Sequence, residues 1–167
     1  LNPSWKELVH SSDVQSDVWQ TGTRTTRLAW LRRLRVSDPR AARDLVIQSW
    51  AQEGTETRAD ILAAFADNLS RDDESVLEMA LDDGRKSVRH AAADLLARLP
   101  DTAFCRRMAA RATALLTVVQ KKRLLRGKEL RIEVALPEKP DQALLRDGVE
   151  NKRSGGMGER AHTLCQI

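Results

Sequence analysis

This sequence predicts an all-α fold, a short α-solenoid of antiparallel helix pairs, and three observations predict it. An arginine recurs at one slot, Arg27, Arg58 and Arg89, each thirty-one residues after the last. Seven positions after each arginine stands an apolar match, Leu34, Phe65 and Leu96, and the outer segments keep the period, Val46 with Leu77 and Trp50 with Leu81. Helix-favouring Ala, Leu, Arg and Glu dominate, while Tyr is absent and Phe occurs twice. A fixed period of this length marks stacked units, each burying an apolar face against the next.

The elements follow in order. Between Pro3 and Trp19, the spacing of Trp5, Leu8, Val9, Val14, Val18 and Trp19 predicts one or two short helices, broken by Thr21-Gly22-Thr23. A helix over about 24–36 places Leu28, Leu31, Leu34 and Arg35 near one face. Ser37-Asp38-Pro39 starts the next, with Asp38 as cap and proline where no helical hydrogen bond is lost. That helix carries Ala42, Leu45, Val46 and Trp50 and ends near Gly54. Thr55 opens a helix through Ile61, Leu62, Phe65 and Leu69, and Ser70-Arg71-Asp72-Asp73 caps a short successor with Val76, Leu77, Ala80 and Leu81. After the turn Asp82-Asp83-Gly84, the small residues Ala91-Ala92-Ala93 let a neighbouring helix approach closely. Pro100-Asp101-Thr102 caps a last helix reaching about Val119 or Gln120. Burial is predicted for Leu31, Leu34, Leu62, Phe65, Leu95 and Leu96, and Trp30 and Trp50 fall at apolar slots of the period.

The pattern then changes. Leu130, Ile132, Val134 and Leu136 alternate with Glu129, Arg131, Glu133 and Ala135, the period of a strand with one buried face. No second alternating stretch stands out, so a single strand is expected. From Asp141 the chain is mostly polar, apart from Ala143-Leu144-Leu145 and a patch at Ser154-Gly155-Gly156-Met157-Gly158, and an irregular, weakly packed tail is expected. The organisation is thus a helical-repeat domain over 1–126 and an extended or irregular C-terminal segment over 127–167, part of a larger domain.

Composition narrows the function classes. Cys105 and Cys165 are too few for a disulfide framework and predict a cytoplasmic protein with reduced thiols. No apolar run reaches the roughly 20 residues of a membrane span. The chain opens on Leu1 and closes on Gln166-Ile167, which is expected of a piece of a longer protein. Charge is uneven: residues 54–99 hold six basic and ten acidic side chains, residues 100–136 nine basic and three acidic. His10, His90 and His162 have no clustered companions, and His162 with Cys165 falls short of the three protein ligands a zinc site needs. Gly155-Gly156-Met157-Gly158 lacks the lysine of a phosphate loop. No catalytic residue, metal or cofactor is assigned. The repeated arginine is a ladder element, since a residue common to every unit serves the packing common to every unit. The candidate partner-binding residues are Arg106, Arg107, Lys121, Lys122, Arg123 and Arg126, a basic stripe suited to an acidic partner.

Asp83, Val88-Arg89, Ala91-Ala92 and Leu95-Leu96 resemble the second helix of a HEAT-type repeat of the short bacterial kind. Leu77-Glu78, Leu81-Asp82-Asp83, Val88-Arg89, Leu95 to Pro100 and Arg107-Met108-Arg111 resemble a bacterial family known only as a domain of unknown function. Leu145-Arg146-Asp147-Gly148 and Gly158-Glu159-Arg160-Ala161 resemble a second block of it. The resemblance spans about Trp50 to Ile167 and implies a helical-repeat fold with no established activity. By association it implies a scaffold beside ring-forming ATPases. The function expected is a non-catalytic scaffold that binds a protein partner. Nucleic-acid binding through basic helices, as in HEAT-type DNA-repair proteins, and a fragment of an enzyme whose catalytic part lies elsewhere are the alternatives.

Overall fold

The computed structural model describes residues 17–123, 127–135 and 140–150. The described chain is mostly helical with one two-stranded antiparallel sheet, and it forms two compact units that divide between Val76 and Leu77. No helix among the described residues is long and apolar enough to cross a membrane.

In the first unit, residues 17–21 are helical and α1 (Arg24–Ser37), α2 (Pro39–Ser49) and α3 (Thr55–Phe65) come after them. Thr23 caps α1 by accepting the Thr26 N–H. Asp38 both ends α1 and caps α2, its carboxylate accepting the Ala41 N–H at 2.9 Å ahead of Pro39, as its sequence setting predicts. Helix α1 packs against α2 and α3, enclosing Leu31, Ala42, Val46, Ile61, Leu62 and Phe65 without solvent exposure.

Two expectations for this core are corrected. Leu34 is only half-buried, and the neighbouring Arg35 is fully enclosed instead. A buried guanidinium needs partners, and both terminal nitrogens of Arg35 have them. It forms a two-oxygen pair with Asp73 at 2.7 and 2.8 Å, and it donates to the Phe65, Asp67 and Asn68 carbonyls where α3 runs out. It also lies 4.2 Å over the Phe65 ring. The second correction is Trp30, which is half-buried, whereas Trp50 is buried as predicted and Trp19 joins the core with its ring 5.9 Å from that of Trp30. Trp5 lies outside the described residues.

The second unit takes the last turns of α4 (Glu74–Leu81) with α5 (Lys86–Ala97), α6 (Ala103–Leu115), β1 (Leu116–Arg123), β2 (Gly127–Val134) and α7 (Gln142–Arg146). Thr102 caps α6, accepting the Cys105 N–H at 3.1 Å. Leu77, Leu81, Val88, Ala92 and Leu96 are fully buried, and Leu95 nearly so.

Here too the structure corrects the sequence. Helix α6 stops at Leu115, short of the expected end near Val119 or Gln120, and the chain continues as a strand. The run Thr117-Val118-Val119 is β-branched throughout, which disfavours helix and suits a pleated surface. This strand is the partner that β2 needs, in register from Leu116↔Val134 to Arg123↔Gly127. The hairpin therefore joins residues on both sides of position 126, where the sequence changes character. Residues 141–150 are not a loose tail. Asp141 caps α7, accepting the Leu144 N–H at 2.8 Å, and Leu144, Asp147, Val149 and Glu150 are buried. The patch at 154–158 lies outside the described residues.

Candidate functional site

The β1–β2 hairpin rises from α6 and returns toward α7, and an ion-pair clasp ties the two ends together. Asp147, directly after α7, has a carboxylate only 1% exposed. It accepts from Arg107 at 2.9 and 3.2 Å and from Arg111 at 2.6 Å, both on α6, and from Arg146 at 3.2 Å. Glu78 takes a second pair of bonds from Arg107 at 3.0 and 3.2 Å, and one from Arg146 at 3.3 Å. Asp82 holds the rest of the Arg146 guanidinium at 2.6 and 3.0 Å. Arg89 adds backbone bonds, to the Leu145 carbonyl at 3.1 Å and the Asp83 carbonyl at 2.8 Å. The turn out of α7 needs Gly148, whose φ of +83° is a left-handed conformation and whose added Cβ would stand 3.1 Å from the Ala93 Cβ.

Burial alone would push the Asp147 carboxyl up, but hydrogen bonds from Arg107 and Arg111 outweigh it and hold the group below the ordinary carboxylate range. Asp82 is held low chiefly by its bond from Arg146. Burial also pushes Glu150 upward, and the Lys86 hydrogen bond brings it down instead. Arg107 is shifted upward chiefly by Asp147, and Arg146 chiefly by Asp82. These groups are fixed in their charged forms, whereas an acid–base catalyst is tuned toward the working pH.

The clasp gathers the residues that carry the family resemblance. Glu78, Asp82, Asp83, Arg89, Arg107 and Arg111 from the first block meet Leu145, Arg146 and Asp147 from the second. The three slot arginines likewise make internal bonds. Arg27 pairs with Glu53 and lies 4.4 Å over the Trp19 ring. Arg58 donates to the Trp50 and Ala51 carbonyls at 3.0 and 3.3 Å, and Arg89 closes the clasp. Glu53 is an acid that the period does not align with Arg27. The Asp83 carboxylate accepts the Arg85 N–H at 2.8 Å.

The predicted contact residues separate. Arg106 is exposed and donates to the Asp101 carbonyl at 2.7 Å. Arg107 belongs to the clasp. Lys121, Lys122 and Arg123 are on β1, and their side chains, with Arg126, lie outside the described residues.

Sequence reasoning misses the surface that stands out. On one face of the hairpin Leu116, Val118, Leu130, Ile132 and Val134 are 49%, 65%, 69%, 65% and 39% exposed. The register sets Leu116 opposite Val134 and Val118 opposite Ile132, so they form one contiguous apolar patch. The alternation of β2 is the available signal; it predicts a buried face, and the face is open to solvent instead.

Elsewhere in the second unit, a groove of about 590 Å³ runs past His90, Asp94, Phe104, Cys105 and Met108. The Cys105 thiol there donates to the Leu99 carbonyl at 3.1 Å. Among the described residues no group of three His, Cys, Asp or Glu could hold a metal ion.

The chain belongs to DUF5691, a family of unknown function, which it matches over residues 1–167. No curated protein and no solved structure matches it.

Proposed function

Starting from membership in a family with no assigned activity, we propose that this chain is a HEAT-like helical scaffold that binds a protein partner and catalyses no reaction. The observation that carries the reading is the exposed apolar face of the β1–β2 hairpin. Contiguous apolar surface held out in water marks an interaction site, and a two-stranded hairpin is marginal until something packs against it. The clasp supports the same reading, because it fixes both ends of the hairpin and so presents the face on a rigid base. Its titratable groups are committed to pairing, which favours a structural role over catalysis.

Nucleic acid is the second reading, favoured by the six basic residues against two acidic ones over 116–134. One experiment separates the two. The chain and a Val118→Ser/Ile132→Ser variant are immobilised, exposed to extract of the native cell and washed at physiological salt, and duplex DNA is titrated in parallel. A polypeptide retained by the wild type and lost from the variant is the expected result. Duplex binding that survives physiological salt, with no polypeptide dependent on the hairpin face, would overturn the proposal.

A further inference from the structure

We infer that the outer edge of β2 pairs with the same edge of a second copy of this chain, joining the two hairpins into one antiparallel sheet. The inference concerns the edge of the hairpin and is independent of what packs on its apolar face. The backbone carries it first. Strand β2 has β1 on one side and, among the described residues, no strand on the other. The Ala135 N–H donates to the Leu115 carbonyl at 2.9 Å, which makes these opposite residues a hydrogen-bonded pair. Opposite pairs alternate along a ladder. Glu133 and Arg131 therefore turn their backbone groups toward β1, while Val134, Ile132 and Leu130 turn theirs away from it. Such an edge is a template for another strand, and a hairpin of two strands is marginal until more are added.

The side chains select a second copy and fix its register. About a two-fold axis through Ile132, that residue faces its own counterpart and Leu130 faces Val134, each pair exchanging backbone bonds. The closer, non-hydrogen-bonded pairs between them set Arg131 opposite Glu133 on both sides of the axis. Within one chain these two exposed charges face no charged residue, since the register sets Val119 opposite Arg131 and Thr117 opposite Glu133. Other symmetric registers lose the match. An axis through Arg131 sets arginine against arginine, and one through Glu133 sets glutamate against glutamate; like charges directly opposite destabilise a strand pair. An axis through Leu130 sets Ile132 against a lysine, and one through Val134 sets Glu133 against Ala135. The edge of β1 offers no equivalent, because Leu116-Thr117-Val118-Val119-Gln120 carries no charge. The two-fold axis stands perpendicular to the sheet, so the exposed Leu116, Val118, Leu130, Ile132 and Val134 of both copies lie on the same side.

The test follows the mass of the full chain by sedimentation equilibrium while the charges are swapped. The wild type should associate into a dimer. Arg131→Glu and Glu133→Arg each set like charges against one another across the axis, and each should raise the dissociation constant about tenfold. The double variant Arg131→Glu/Glu133→Arg restores opposite charges and should restore the dimer. These substitutions face uncharged residues on β1, so the far-UV spectra should match that of the wild type. A second arm uses Ile132→Cys in a Cys105→Ser/Cys165→Ser background. Opposite α-carbons of a hydrogen-bonded pair stand about 5.5 Å apart, within disulfide reach, so oxidised glutathione should link two copies through the introduced thiols. The same treatment of Val36→Cys, at an exposed site of the first unit, should leave the chain unlinked. Should a charge variant fail to fold, the thiol arm decides alone. A wild type that stays monomeric up to about 1 mM, a dimer indifferent to the single reversals, or a double variant as weak as the single ones would overturn the inference. So would an Ile132→Cys chain linked no faster than Val36→Cys. Each of these failures leaves the scaffold reading standing, because that reading rests on the apolar face and not on the edge.

Discussion

Replacing Asp147 by alanine removes the node that holds the hairpin's base. The carboxylate is 1% exposed and accepts four hydrogen bonds from Arg107, Arg111 and Arg146. Deleting one partner of a fully buried pair costs about 3–5 kcal/mol. Here the three arginines are 33%, 23% and 34% exposed, so part of their charge can rehydrate. That lowers the expectation to about 2–3 kcal/mol. For a unit of this size the loss is a fall of about 10–20 °C in midpoint. The tryptophans provide the assay, because all four lie at or before residue 50, within the span of the first unit. Far-UV circular dichroism follows helices of both units. On heating, the variant should lose ellipticity early while its tryptophan emission keeps the wild-type midpoint. Ellipticity that melts as in the wild type would refute the clasp as a stabilising element. The pH dependence has a defined sign. Asp147 and Asp82 titrate below their ordinary value of 3.8 in the fold. Their contribution is fully present above that value and is lost as pH falls through the depressed one. Wild type and Asp147→Ala should therefore converge in stability as the solution is taken below about pH 4.

Three further outcomes are expected. Asp73→Ala leaves the fully buried Arg35 unpaired and should cost about 3–5 kcal/mol, whereas Arg35→Met with Asp73→Leu should recover most of that loss in urea titrations followed by tryptophan emission. Phe65→Ala opens a cavity in a fully buried site and should cost about 3–5 kcal/mol by the same measurement. Gly148→Ala meets both a left-handed φ and the Ala93 methyl, so it should cost about 1–3 kcal/mol by thermal melting, with the effect in the ellipticity of the second unit.

What the sequence reveals is local, and what it conceals is paired at long range. The Asp38-Pro39 helix start, the burial of Phe65 and Leu96 and the strand at β2 rest on spacings within a few residues, and patterns of that span can be read directly. Strand β1 is hidden because Gln120-Lys121-Lys122-Arg123 breaks its alternation, and its pairing comes from a register with β2. Arg35 sits beside the apolar stripe of α1, yet its burial depends on Asp73, thirty-eight positions on. The clasp is the extreme case, with Arg146 reaching Glu78 across sixty-eight positions. Its residues are visible as two resembling blocks, but no spacing rule brings such blocks together. The alternation of β2 places its apolar residues on one face, and they do share one, yet that face is exposed. Alternation specifies sidedness and says nothing of what covers the side.

The Asp147 clasp also bears on how this chain can change over generations. Arg107 and Arg111 stand before the hairpin and Asp147 after it, and the Ala135 N–H donates to the Leu115 carbonyl at 2.9 Å where the strands begin. The closure of that excursion is thus secured at its root, independently of what lies farther out. Doubling the length of a loop whose ends are held costs only about 0.6 kcal/mol. Insertions, deletions and exchanges of residues between Leu116 and Val134 should be tolerated by the helices below, so relatives of this chain are free to carry hairpins of different length and chemistry on the same base.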